Sequence, residues 1–168
     1  MRKTLLVVVL MLCVTAAFAQ EAKKPLSPPA KAEAKIGGKN VTIDYSAPSK
    51  RERVIMGELV PYGKVWRTGA NAATKLTTET DLMIGDLHVP AGTYSLFTIP
   101  GEKEWTLIVN KQTGMPPSEY DEKQDLGRVK MSVSNVKNTV ETFDIALRNN
   151  KLTLTWENTA ASVPVTAH

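Results

Sequence analysis

The side chains best suited to recognition in this sequence are Arg53, Trp66, Arg67 and Asn71. A guanidinium is a planar, permanently charged donor that fits a carboxylate, a phosphate or sugar hydroxyls. Trp66 and Arg67 stand side by side in "GKVWRTGANAAT" (Gly63–Thr74), with Gly69 and Asn71 just behind. Gly69 allows positive φ and Asn71 can bond neighbouring backbone, so the chain is expected to bend there. If Lys64 to Arg67 forms a short strand, alternation sends Trp66 and Arg67 to opposite faces. Two readings follow. In one, Trp66 is core, Arg67 bonds loop carbonyls or a carboxylate, and Asn71 fixes the turn. In the other, the cluster holds a ligand. "KRER" (Lys50–Arg53) is a second basic loop with the same two readings, recognition or a solvated crossing between strands.

Other chemistry is thinly supplied. His88 sits between Leu87 and Val89, which reads as a solvated strand position, and His168 ends the chain. Cys13 is the single cysteine. There is no Gly-x-Ser-x-Gly elbow, Ser-x-x-Lys pair, glycine-rich phosphate loop or Asp-rich calcium loop. Asp121 and Asp125 lie four apart and could share a helix face, but paired-carboxylate catalysis is a spatial arrangement that local spacing does not identify. No catalytic residue, metal or cofactor is assigned.

Arg2 and Lys3 precede the apolar run "TLLVVVLMLCVTAA", and "AFA" then supplies a cleavage-type motif, so residues 1–19 are expected to be a signal peptide. The apolar run is shorter than the roughly 20 residues a bilayer crossing takes, so no transmembrane anchor is expected after cleavage. Periplasmic or extracellular localisation follows. Removal of the signal would remove Cys13, leaving a chain without disulfides, thiol catalysis or cysteine-held zinc. The whole chain carries 21 basic and 17 acidic residues, and Arg2 and Lys3 are among the basic ones. The remainder is nearly neutral and has no basic patch interleaved with aromatics, which argues against nucleic acid.

These residues need a scaffold, and the scaffold has period two. "VTIDYS", "TYSLFTI", "EWTLIVN", "RVKMSVS", "ETFDIAL" and "KLTLTWE" each alternate or run apolar on both faces, and they are rich in β-branched and aromatic residues. Gly85-Asp86, "VPAG", "IPGEKEW" and "RNNKL" supply tight-turn chemistry between them. Only "PSEYDEKQDLG" looks helical, with Ser118 as cap and Gly127 as stop. The expected architecture is all-β: a single antiparallel β-sandwich, with a jelly-roll as one form of it, and one short helical turn. Residues 20–35, rich in Lys, Ala and Pro, read as a flexible leader, and residues 36–166 as the domain.

The strings "IDYSAPSKRERVIMGELVPYGKVWRTGANAATKL", "VPAGTYSLFTIPGEKEWTLIVNK" and "YDEKQDLGRVKM" resemble an exported bacterial family known as domain of unknown function 2911, over roughly Ile36 to Val165. The resemblance implies export and supplies no activity, cofactor or catalytic residue. Glu52 stands where the family pattern has Gly, Met56 where an aromatic is common, and Ala72 where an acid is frequent. The leading functional expectation is non-catalytic binding of a small polar or anionic ligand, or a glycan, by Arg53, Trp66, Arg67 and Asn71. Two alternatives stand beside it: a hydrolase using carboxylates or Tyr, and an envelope protein–protein interaction module.

Overall fold

In the computed structural model, which describes residues 25–114 and 119–168, the alternating segments form nine antiparallel strands. They are β1 (Pro29–Ile36), β2 (Lys39–Ser46), β3 (Thr74–Thr78), β4 (Leu82–Ile84), β5 (Leu87–Val89), β6 (Gly92–Ile99), β7 (Glu104–Asn110), β8 (Asp125–Arg148) and β9 (Lys151–Ala167). The expected signal peptide, Cys13, the first part of the leader and Ser118 lie outside the described residues. The fold is all-β, and the only helical piece among the described residues is a 3₁₀ turn at Glu122–Gln124. No helix among the described residues is long and apolar enough to cross a membrane.

Strand pairing gives one continuous sheet, in the order β1-β2-β3-β6-β7-β8-β9-β4-β5, rather than two separate ones. The sheet nevertheless buries a single core to which every strand contributes, because its two long strands bend. "RVKMSVS" and "ETFDIAL", which read as two strands, are parts of β8. Its register with β9 shifts twice, between Asn135 and Val140 and between Val140 and Asp144. Such bulges sharpen the local bend and twist. Opposite them Glu157 takes a left-handed φ of 54° inside β9. The far half of the hairpin thereby folds back over β2: the Tyr45 hydroxyl accepts from Ile145 N–H at 3.1 Å, and Phe143 N–H donates to Pro48 O at 2.9 Å. Asn149 and Asn150, with φ of 52° and 55°, turn the hairpin, as a two-residue turn with both central φ positive requires.

Local sequence explains the rest. β6 and β7 read as apolar on both faces and sit mid-sheet, where Leu96, Phe97, Leu107 and Ile108 are all buried. Gly85-Asp86 turns β4 into β5 as expected. Three expectations are corrected. The leader does not extend to residue 35: Pro29–Ile36 is β1, paired in full with β2, and its Ala32 and Ile36 are core. Burial of those two small apolar faces outweighs the polar composition that suggested flexibility. Gly127 does not stop a helix; it lies in β8, packed where a Cβ would meet Leu87. Asp121, rather than the expected Ser, caps the 3₁₀ turn by accepting from Lys123 N–H at 3.0 Å.

The bend in β9 also anchors the segment between β2 and β3. The Glu157 carboxylate accepts from Met56 N–H at 3.2 Å and more distantly from Ile55 N–H at 3.4 Å, and it pairs with Lys50 Nζ at 3.6 Å. Truncation to Ala orphans those donors, whereas the left-handed backbone cost is already present with Glu and only Gly relieves it. Glu157→Ala is expected to lower unfolding stability by about 2 kcal/mol in urea denaturation. Glu157→Gly, which loses the same carboxylate but suits the φ, should be the more stable variant by up to about 1 kcal/mol. Equal stabilities for the two would show that the corner is not strained.

Candidate functional site

Residues 47–73, between β2 and β3, contain no regular strand and cross one end of the sheet. Connections longer than about 12–15 residues without regular structure are usually functional or disordered. This one is pinned at many points. Ala47 N–H bonds Pro28 O, Lys50 N–H bonds Glu141 O, and Ser49 bridges to Thr142. Further on, Ile55 and Val60 are buried, and Gly63 N–H bonds Pro100 O.

The expected strand Lys64–Arg67 does not form. β3 covers the edge of β6 only as far as Leu96, and beyond that point a single residue, Trp66, exchanges both backbone hydrogen bonds with Thr98. Residues 61–65 stay exposed. Trp66 is half-buried and surrounded by aromatic rings. It stacks on Trp156 (5.9 Å, 17°) and meets Phe143 and Trp105 edge-on at 5.0 and 6.3 Å. The Trp105 indole N–H is buried with no acceptor among the described residues.

The turn after Arg67 is tightly determined. Thr68 is fully buried at φ 57°, a left-handed conformation rare for a β-branched residue. Its carbonyl accepts from the Thr74 hydroxyl at 2.6 Å, and its own hydroxyl meets Thr98 Oγ1 at 3.2 Å. Gly69 follows at φ 154°, where a Cβ would stand 3.0 Å from Ser46 O. Asn71 is left-handed too (φ 58°), and its side chain donates to Ser46 Oγ at 3.3 Å.

Arg53, Trp66, Arg67 and Asn71 all line one open cavity of about 300 Å³. Arg51, singled out in the sequence only as part of the "KRER" run, joins them, and Leu26, Leu59 and Trp156 provide apolar wall. Each guanidinium is positioned by backbone carbonyls. Arg51 Nη2 donates to Leu26 O (2.7 Å), Arg53 Nε and Nη2 to Lys50 O and Ser49 O (2.9 and 2.6 Å), and Arg67 Nη1 to Asn71 O (3.1 Å). None of the ion pairs among the described residues involves these three arginines. Each has five N–H donors, so most remain available. No Asp, Glu, His or Cys lines the cavity.

A second cavity, about 330 Å³, lies against Asp44, Tyr45, Ser46, Lys75 and Ser95. Its cation is already paired with a carboxylate, since Asp44 lies 3.4 Å from Lys75 and from Lys31 beside it. The arginine cavity is therefore the better candidate.

This chain belongs to the family described as protein of unknown function, DUF2911. The family matches residues 27–165 and so takes in β1, which the sequence reading had placed outside the domain. No curated protein and no solved structure matches the chain.

The remaining polar residues of interest have structural partners. His88 is exposed, with Nε2 3.0 Å from Asp81 Oδ2, and its ring lies 4.5 Å from that of His168. His168 is itself docked, through its N–H on Asp81 O. The Ala91 N–H and then the His88 ring hold the Asp81 carboxyl below its ordinary range. Among the described residues, no three His, Cys, Asp or Glu side chains are placed to hold a metal ion. Asp121 and Asp125 do not act as a pair. Asp121 caps the 3₁₀ turn, whereas Asp125 accepts from Asn110 Nδ2 (2.8 Å), the Tyr120 hydroxyl (2.8 Å) and Arg128 Nε (2.9 Å).

Burial, followed by the hydrogen bond to Asp125, pushes Tyr120 up to about 12. An unfolded tyrosine ionises near 10, so the stability tied to this proton is complete below that pH and is lost as pH rises through about 12. Denaturation midpoints between about pH 9 and about pH 12 should fall less steeply for Tyr120→Phe than for the wild type. Tyr45 and Tyr94 are also raised by burial, so part of the fall will remain. Identical slopes would show that Tyr120 contributes nothing.

Proposed function

We propose that this protein binds a small anionic ligand, without catalysis, in the arginine cavity between the 47–73 segment and Trp156. The supporting observation is three guanidiniums held by backbone carbonyls around one cavity whose wall has no carboxylate, and none of the three forms an ion pair among the described residues. Their charges and spare donors suit a carboxylate or phosphate, and preorganisation lowers the ordering cost of binding. The apolar wall of Leu59, Trp66 and Trp156 suits a ligand with an apolar portion beside its charge.

The left-handed residues Arg51, Glu52, Thr68, Asn71 and Glu157 all belong to this segment or to the corner that anchors it. Backbone strain concentrates where function requires a fixed geometry, and it costs about 1–3 kcal/mol per residue. A neutral glycan is the weaker reading. Sugars stack on open aromatic faces, whereas Trp66 is stacked on Trp156 and flanked by two further rings. The hydrolase alternative requires a carboxylate or Tyr facing Arg67, and the cavity wall has neither. Export to the periplasm or beyond remains part of the proposal, on the strength of the signal-like residues 1–19.

Titration of the protein with inorganic phosphate, followed by the NMR shifts of the arginine Nε–H groups and the Trp66 indole, tests the reading. Saturable shifts are expected in the wild type. Arg67→Ala should weaken binding about 10- to 100-fold with little change in thermal midpoint, because charge-assisted hydrogen bonds are worth about 1.5–3 kcal/mol. Absence of saturable shifts, or unchanged binding by the variant, overturns the proposal. A large fall in thermal midpoint would assign Arg67 to the architecture instead.

A further inference from the structure

All the large apolar side chains that the described residues leave exposed belong to the segment that carries this cavity or to the chain just before β1. Val54, Leu59, Tyr62 and Val65 belong to the 47–73 segment, and Leu26, 71% exposed, approaches from the chain preceding β1. Leu26 and Leu59 line the cavity itself. Of the other three, Val54 accepts at its carbonyl from the Leu59 N–H, Val65 immediately precedes Trp66 of the cavity wall, and the Tyr62 ring lies over Gly57 of the same segment. Scattered exposed apolar residues are ordinary, but a contiguous group marks an interaction surface.

The same stretch is basic. Lys50, Arg51, Arg53, Lys64 and Arg67 face only Glu52 and Glu58 in residues 50–67. Lys50 is engaged with Glu157 and the Glu141 carboxylate accepts from the Arg51 backbone N–H at 2.8 Å, but the three guanidiniums form no ion pair among the described residues. Exposed aliphatic side chains and a tyrosine, set among unneutralised cations, are the features of a segment that lies in the interface of an anionic bilayer. There the apolar groups enter the acyl boundary and the cations meet headgroup phosphates. A tyrosine suits that depth because its ring is apolar and its hydroxyl polar.

Resting on the anion-binding reading above, we propose that the apolar rim and the arginine cavity form one docking surface for an anionic lipid bilayer, with a headgroup phosphate seated in the cavity. Charge complementarity selects this occupant: a purely apolar protein partner would leave three guanidiniums buried without counter-charge. The rim also explains why apolar wall and cationic donors share one cavity, since a lipid carries both chemistries at the spacing of its own headgroup and chains.

Co-sedimentation with phosphatidylglycerol–phosphatidylcholine vesicles, against vesicles of phosphatidylcholine alone, tests the inference. Wild-type protein is expected to partition onto the anionic vesicles and to be released by salt. The double variant Val54→Ser, Val65→Ser alters neither charge nor cavity wall. It should lose at least fivefold in partitioning while its phosphate titration stays intact. Arg67→Ala should lose about fivefold or more, in line with one cation at a charged surface. If phosphate titrates the wild type but anionic vesicles do not retain it, or retain the serine variant equally, the lipid inference fails and the anion site stands. If phosphate fails to titrate, the anion reading fails with it. Dimerisation without vesicles that the serine variant abolishes would assign the rim to a contact between copies and overturn the inference.

Discussion

Two consecutive residues of β9 hold the 47–73 segment in place. Trp156 presents its face to Trp66, and Glu157, in a left-handed corner, receives backbone N–H groups from Ile55 and Met56. The 47–73 segment has almost no strand pairing of its own, so these contacts replace a sheet ladder for it. The same corner lets the β8–β9 hairpin fold back over β2, which is how one continuous sheet encloses one core. Cavity and core are thus consequences of a single bend.

The energetic pattern around the cavity differs from that of the sheet. In the sheet, burial of alternating apolar residues accounts for the structure, and charges are paired or solvated. Around the cavity, left-handed non-glycine backbone, an exposed apolar rim and three arginines without carboxylates occur together. Each of these features opposes stability, and stable folds keep such features where a geometry has to be maintained for another purpose. The carbonyls that receive the guanidiniums fix the direction of the charges without cancelling them, which a salt bridge would do.

Much of the fold was legible in sequence because period-two alternation and turn residues are local signals. β2, β6, β7 and the two ends of the β8–β9 hairpin follow from them, as do the turns at Gly85-Asp86 and Asn149-Asn150. β1 was missed because its composition is that of a linker, and only pairing with β2 makes strand the better state. Trp66 was read as part of a strand because alternation says nothing about where a neighbouring strand ends. The pair Asp121 and Asp125 looked chemical by spacing, yet their partners Lys123 N–H, Asn110 and Arg128 give them structural work.

The sequence by itself determined the all-β class, the turn positions and the identity of the arginine- and tryptophan-bearing segment, since each depends on residues within a few positions of one another. Tertiary structure alone decided that Arg51, Arg53 and Arg67 share a cavity, that Trp156 from the far end of the chain forms its wall, and that the exposed Leu26 and Leu59 also line it. Those associations arise from a bend at Glu157 and from pairing across the whole length of the chain. No local pattern encodes such long-range contacts, because their free energy exists only once the core has closed.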